Sequence, residues 1–204
     1  DVIRETCCLR TFKDVAEEAR RFLSLPHPEP EADRQPGGAS APARPPEAAR
    51  RLFAMSRPIA GTIAEAYLRA RGITALQGTG SLRFHPHCYY RPNRRTPSEA
   101  WPAMIASVTD LNGRITGVQR TWLSQQGEGK APLATPRRAM GDLLGHAVRF
   151  GLADEYLVAG EGIETMLSLR TVLPDLPMAA ALSAAHLAAI RFPAALRRLY
   201  IARD

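Results

Sequence analysis

The chain has 204 residues, a hydrophobic content of 45% and a formal net charge of +7. That length allows one large domain or two small ones, and that content supports a packed core rather than a disordered chain. No run approaches the roughly 18 apolar residues of a membrane span, so no membrane partner is expected.

The positive charge is uneven. Residues 61–153 carry 12 Lys+Arg against 5 Asp+Glu, whereas residues 154–204 carry 5 against 6. Only Lys13 and Lys130 are lysines, so arginine supplies nearly all of the excess. Arginine grips phosphate with two donors and stacks on bases, which makes nucleic acid the natural partner. An Arg- and Ala-rich composition is the plain alternative. Cys7, Cys8 and Cys88 form no C-x-x-C pair and imply no disulfide framework. A reducing cytoplasm suits that usage. The chain starts at Asp1 and stops at Asp204, and both ends are expected to be cuts in a longer protein.

In chain order, Thr11-Phe12-Lys13-Asp14 has capping-box spacing and opens a helix to Leu23. Residues 25–46 are rich in Pro, Ala and Glu and read as a disordered linker. A short helix is expected over 47–56. A second capping box, Thr62-Ile63-Ala64-Glu65, opens a helix that Gly72 stops. Ser81 to His85 reads as a short strand. Pro102–Thr109 and Arg114–Leu123 are β-rich, and Asn112-Gly113 between them signals a hairpin. Gln125 to Arg138 reads as a polar, mobile loop.

From residue 155 the pattern alternates. Strands are expected at 155–160, 178–182 and 198–203, with helices at 162–173 and 184–190. Short loops between such elements imply a parallel sheet with right-handed crossovers. Ligands of such sheets bind at the carboxyl ends of the strands. Glu161 and Asp204 both fall there, and two hard carboxylates suit Mg²⁺. The plain reading of Glu161 and Glu164 is that of acids in a helix's first turn.

His85-Pro86-His87-Cys88 has metal-ligand residue types but no fourth ligand. A short strand followed by a turn is the preferred reading. Arg69 and Arg71 read as helix-surface charges. Phe22, Phe53, Trp101 and Trp122 read as core or interface.

Glu161-Gly162 after an apolar strand resembles the first motif of the Toprim domain, shared by bacterial primases, topoisomerases and some nucleases. Arg203-Asp204 resembles the start of its second motif, Asp-x-Asp. Upstream, Tyr67-Leu68-Arg69-Ala70-Arg71-Gly72-Ile73 is similar to the Tyr-Leu-x-x-Arg-Gly stretch of bacterial-type DNA primases. Residues 112–120 resemble their Gly-x-x-x-Gly-Phe-x-x-Arg strand pair. Lys130 falls in the loop where those primases carry a lysine. Ala181-Leu182-Ser183 resembles the segment after their second Toprim strand, with Ser183 where Gly is usual. The wording around Arg83-Phe84-His85-Pro86 and residues 160–165 is most similar to primases or primase-helicases of phages, plasmids and integrated elements.

The resemblance implies an α/β chain: an α+β N-terminal subdomain with an antiparallel hairpin, then a Toprim-like parallel sheet. It divides the chain into a helical tail (1–24), the linker (25–46), a basic subdomain (47–153) and the first part of a Toprim domain (154–204). It implies RNA primer synthesis on single-stranded DNA from nucleoside triphosphates, by phosphoryl transfer with Mg²⁺ or Mn²⁺. Glu161 and Asp204 would be catalytic and metal-binding, with Glu161 alternatively a general base. Arg120, Lys130, Arg137 and Arg138 would contact nucleic acid or nucleotide. A zinc-binding domain upstream and a replicative helicase, fused or separate, are implied partners. The isolated chain, lacking the second Asp, is expected to be inactive. A Toprim nuclease and a catalytically silent single-stranded DNA-binding module are the rival readings.

Overall fold

The computed structural model describes residues 46–93 and 95–203. The helix expected to Leu23, nearly all of the linker and Asp204 lie outside the described residues.

Helix α1 (Pro46–Ala54) buries Ala49 and Phe53, four residues apart on one face. Strand β1 (Arg57–Pro58) follows. Helix α2 (Ile63–Ala70) starts as its capping box dictates: Thr62 Oγ1 accepts from Ala64 N at 3.2 Å, and a Glu65 carboxylate oxygen accepts from Gly61 N at 2.6 Å. Its inner face is Ala64, Tyr67 and Leu68, the 3–4 spacing of a one-sided helix.

Strands β2 (Leu82–Tyr90), β3 (Glu99–Thr109), β4 (Ile115–Trp122) and β5 (Arg137–Gly141) join β1 in an antiparallel sheet ordered β1-β2-β3-β4-β5. The hairpin at Asn112-Gly113 forms as expected, its turn held by the Asp110 carboxylate, which accepts from Asn112 N and Arg114 N at 2.9 Å. Strand β3 is buried almost throughout because both of its faces are covered.

Side chains alternate between those faces. On one, Ile105, Val118, Trp122 and Tyr90 pack with Ala49 and Phe53 of α1. On the other, Phe84, Met104 and Ala106 pack with Tyr67 and Leu68 of α2 and with Ile163, Met166 and Leu167 of the second half. Each large apolar side chain sealed there contributes roughly 1.5–3 kcal/mol.

The second sheet comprises β6 (Val148–Phe150), β7 (Tyr156–Gly160), β8 (Met178–Ala180) and β9 (Arg198–Ala202), ordered β6-β8-β7-β9. Strands β7, β8 and β9 are parallel and β6 is antiparallel to β8. Helices α3 (Ile163–Val172) and α4 (Ala184–Ala188) complete the alternation. A bridge between Thr109 and Ala147 ties the two sheets together.

Three elements differ from expectation. Strand β2 runs nine residues, past Pro86 to Tyr90, instead of stopping at His85. The register shifts between His85 and Cys88, a bulge where a proline without an N–H is tolerated. His85-Pro86-His87-Cys88 is therefore strand, and Cys88 is buried in the core. Polar β5 lies in and just beyond the stretch read as loop, recruited by pairing with β4. Strand β6 adds an antiparallel member that the alternating pattern did not announce.

Candidate active site

Strand β7 is an apolar run, buried from Leu157 to Gly160, that ends at exposed Glu161. Gly162 is the N-cap of α3 and supplies no side-chain cap. The neighbouring β8 loop is zipped to it: Ala181 N donates to Gly160 O, and Leu182 N to Glu161 O, both at 2.9 Å. Leu182 pays for this with φ 78, the one non-glycine with positive φ among the described residues. Ser183 keeps an extended backbone and caps α4 by accepting from His186 N at 3.2 Å. The conformation that glycine favours thus falls on Leu182 rather than on Ser183.

A pocket of about 250 Å³ opens at this edge. Glu161, Ser183 and His186 line it from the second half of the chain, and Gln119, Arg137 and Arg138 from the first sheet. It therefore lies where the two halves of the chain meet.

One helical turn beyond Glu161, Glu164 turns inward and is buried. Tyr67 Oη donates to its Oε1 at 2.7 Å, and Arg137 Nη2 reaches the same oxygen at 3.3 Å. Burial pushes the Glu164 carboxyl up, but the Tyr67 hydrogen bond and the charges of Arg137 and Lys130 outweigh it and hold the pKa below its usual value. Burial, with the Glu164 charge beside it, pushes Tyr67 well above the usual tyrosine range. Burial and the Arg137 charge lower Lys130. Arg71 stacks over the Tyr67 ring at 5.5 Å. One buried carboxylate thus organises several cations beside the pocket.

The loop carrying Lys130 packs on α2. Gly127 is buried at φ +76, and a Cβ there would come within 3.1 Å of Ala66 Cβ and 3.3 Å of Ile63 O. Only glycine fits that approach without strain.

The four basic residues singled out in the sequence do not form one cluster. Arg137 and Lys130 belong to the Glu164 cluster. Arg120 and Arg138 pair across β4 and β5 and stack on Trp122 and Tyr90 of the core under α1. Strand alternation gives the neighbours Arg137 and Arg138 different partners, and both still line the pocket. Tyr67 was not singled out as a site residue, and its tie to Glu164 spans 97 positions. No periodic signal reports such a contact.

Among the described residues, no group of three His, Cys, Asp or Glu side chains could hold a metal ion. Glu161 still offers a hard carboxylate oxygen, with room in the pocket for water and phosphate oxygens. That suits Mg²⁺, which needs only one or two protein carboxylates. Ala202 of β9 pairs with Gly160, so Asp204 comes two residues beyond that register position. No described helix is long and apolar enough to cross a membrane.

The parallel sheet, the crossover helices and the acid at the strand end define a Toprim domain, and residues 156–204 match the Toprim family. Residues 43–150 match the family described as "Domain of unknown function (DUF7146)", and the chain belongs to that family. No curated protein matches the chain. Among solved structures, it is similar to the zinc-binding and RNA polymerase domains of the Aquifex aeolicus primase, at 12% identity and TM-score 0.50, over 98% of this chain and 55% of that one. The E. coli primase catalytic core aligns at 12% identity and TM-score 0.49, over 76% and 61%. The RNA polymerase domain of the Mycobacterium tuberculosis primase aligns at 14% and 0.47, over 76% and 64%. The chain therefore spans less than two thirds of each of these structures. The fold is that of a bacterial primase core.

Proposed function

We propose that this protein is a DNA primase that makes short RNA primers on single-stranded DNA by metal-dependent phosphoryl transfer. The observation that carries this reading is the convergence of Glu161 and Arg137, from separate sheets, on one pocket at the carboxyl edge of a Toprim-type sheet. Residues 47–153 would form the basic subdomain and 154–204 the Toprim part, a division supported by the two matched ranges.

Glu161 would hold a Mg²⁺ or Mn²⁺ ion, with Asp204 proposed as a second carboxylate. When bound, such an ion neutralises the charge that develops on the transferred phosphoryl group and orients the attacking and leaving oxygens. Arg137 offers a planar fork of donors suited to a triphosphate. The positive end of the α3 dipole favours the same anion. Lys130 adds a point charge from the neighbouring loop. Arg138, which also lines the pocket, would add a second guanidinium there, and Arg120 is assigned a supporting role, since the Trp122 ring holds it. The basic surface of residues 61–153 would take the template strand. Operation in the cytoplasm, beside a replicative helicase and on a mobile element, belongs to the same proposal.

The test supplies the natural full-length protein with end-labelled single-stranded DNA, labelled nucleoside triphosphates and Mg²⁺. Short new strands that require the template support a primase. Shortening of the DNA would transfer the site to a nuclease. Binding without either product would leave a silent DNA-binding module.

A further inference from the structure

We infer that Tyr67 and Glu164 are positioning residues, a latch between α2 and α3 that fixes the Arg137 guanidinium at the pocket so that it receives the phosphates of an incoming nucleoside triphosphate. The inference rests on the primase reading for its ligand and on geometry for everything else.

Neither Tyr67 nor Glu164 lines the pocket; Arg137 does. Tyr67 is fully buried. The Glu164 side chain is 11% exposed and that of Arg137 is 41% exposed. A guanidinium that open samples many rotamers, and fixing it on binding costs side-chain entropy. One anchor reduces that cost, and Glu164 supplies it through Oε1 at 3.3 Å. The anchor must itself be rigid. Tyr67 makes it so by donating to the same oxygen at 2.7 Å from a helix that Thr62 caps and the core clamps.

Packing alone does not account for this carboxylate. An apolar side chain at 164 would fill the space without the desolvation cost of a buried acid. What the acid adds is direction, a fixed orientation for Arg137 beside Glu161. Because the two partners stand on α2 and α3, the latch also sets the spacing between the elements that carry the cations and the edge that carries Glu161.

The test compares four forms of the full-length protein: wild type, Tyr67→Phe, Arg137→Met and the double variant. Tyr67→Phe removes one hydroxyl and keeps the ring. In primer synthesis it should raise KM for the nucleoside triphosphate about three- to tenfold, the scale of one ordinary hydrogen bond, with kcat nearly unchanged. Added to Arg137→Met, it should change KM no further, because its effect passes through Arg137. An unchanged KM with only a lower melting temperature would overturn the inference. So would an equal rise in KM in the Arg137→Met background. If the wild type makes no primer, the primase reading fails, and the same cycle is read by binding of fluorescent ATP with Mg²⁺. The non-additive pattern there keeps the latch; additivity, no change, or no nucleotide binding by the wild type ends it.

Discussion

Arg120 stands directly opposite Arg138 across β4 and β5, and both guanidiniums lie on aromatic rings of the core, Arg120 over Trp122 at 5.0 Å and Arg138 over Tyr90 at 4.9 Å. Like charges facing each other across a sheet repel; stacking on electron-rich ring faces offsets that. Arg138 is further bound, donating to Arg91 O at 2.6 Å, Pro92 O at 3.2 Å and Thr135 Oγ1 at 2.6 Å.

That contrast separates two adjacent arginines experimentally. Arg138→Ala should lower the unfolding free energy by about 1–3 kcal/mol, since several bonds to a charged group are lost, and should weaken nucleotide binding less than Arg137→Ala does. Arg137→Ala should weaken nucleotide binding severalfold at a smaller cost in stability. Thermal melts paired with binding of fluorescent ATP check both. Equal losses in the two variants would contradict the different commitments of the two guanidiniums.

Gly127 joins the Lys130 loop to α2. Gly127→Ala places a Cβ 3.1 Å from Ala66 Cβ at a backbone of φ +76, and should cost about 1–2 kcal/mol. Hydrogen exchange should rise across residues 124–136 while the β2–β3 amides stay protected. Unchanged exchange in that loop would show that the contact does not anchor it.

Much of this architecture was legible in the amino acids. The parallel half reads as apolar runs broken by helices because both faces of β7 and β8 are covered, and a strand that ends in Glu161-Gly162 announces the pocket edge. The hairpin at Asn112-Gly113 is a local signal and was found locally. Strand β5 was hidden because Arg137–Gly141 is polar and becomes a strand only by pairing with β4. The extension of β2 was hidden by Pro86, which a bulge absorbs. The basic residues were visible as charges, but alternation and ring stacking decide which partners hold each of them. The Tyr67–Glu164 contact was not legible at all, since chain spacing carries no trace of a bond between two helices so far apart.

The lowered pKa of Glu164 ties stability to pH. A carboxyl depressed in the folded state contributes fully above its unfolded value, near 4.3–4.5. That contribution disappears as pH falls through the folded pKa. The wild type should lose stability as pH falls from the unfolded value through the lower folded one, and Glu164→Gln should flatten part of that loss. Melting temperatures across this range, compared between the two proteins, check the sign. An identical slope in both would place the acid sensitivity elsewhere.

Leu182 holds a left-handed backbone, φ 78, while its side chain packs against the core. Leu182→Ala loses packing and keeps the strain. Leu182→Gly loses the same packing but relieves about 1 kcal/mol of strain. The glycine variant should therefore be the more stable of the two in chemical denaturation, against the usual order of these residues. The reverse order would mean that the loop relaxes without cost.

The most direct test of the account is templated incorporation of labelled nucleoside triphosphates by the full-length protein over a Mg²⁺ titration, beside its Glu161→Gln variant. The account predicts Mg²⁺-dependent short products from the wild type and a loss of at least about a hundredfold in the variant, the scale of removing one preorganised electrostatic contact to a transition state. Equal synthesis by both proteins would contradict the placement of the catalytic centre at Glu161.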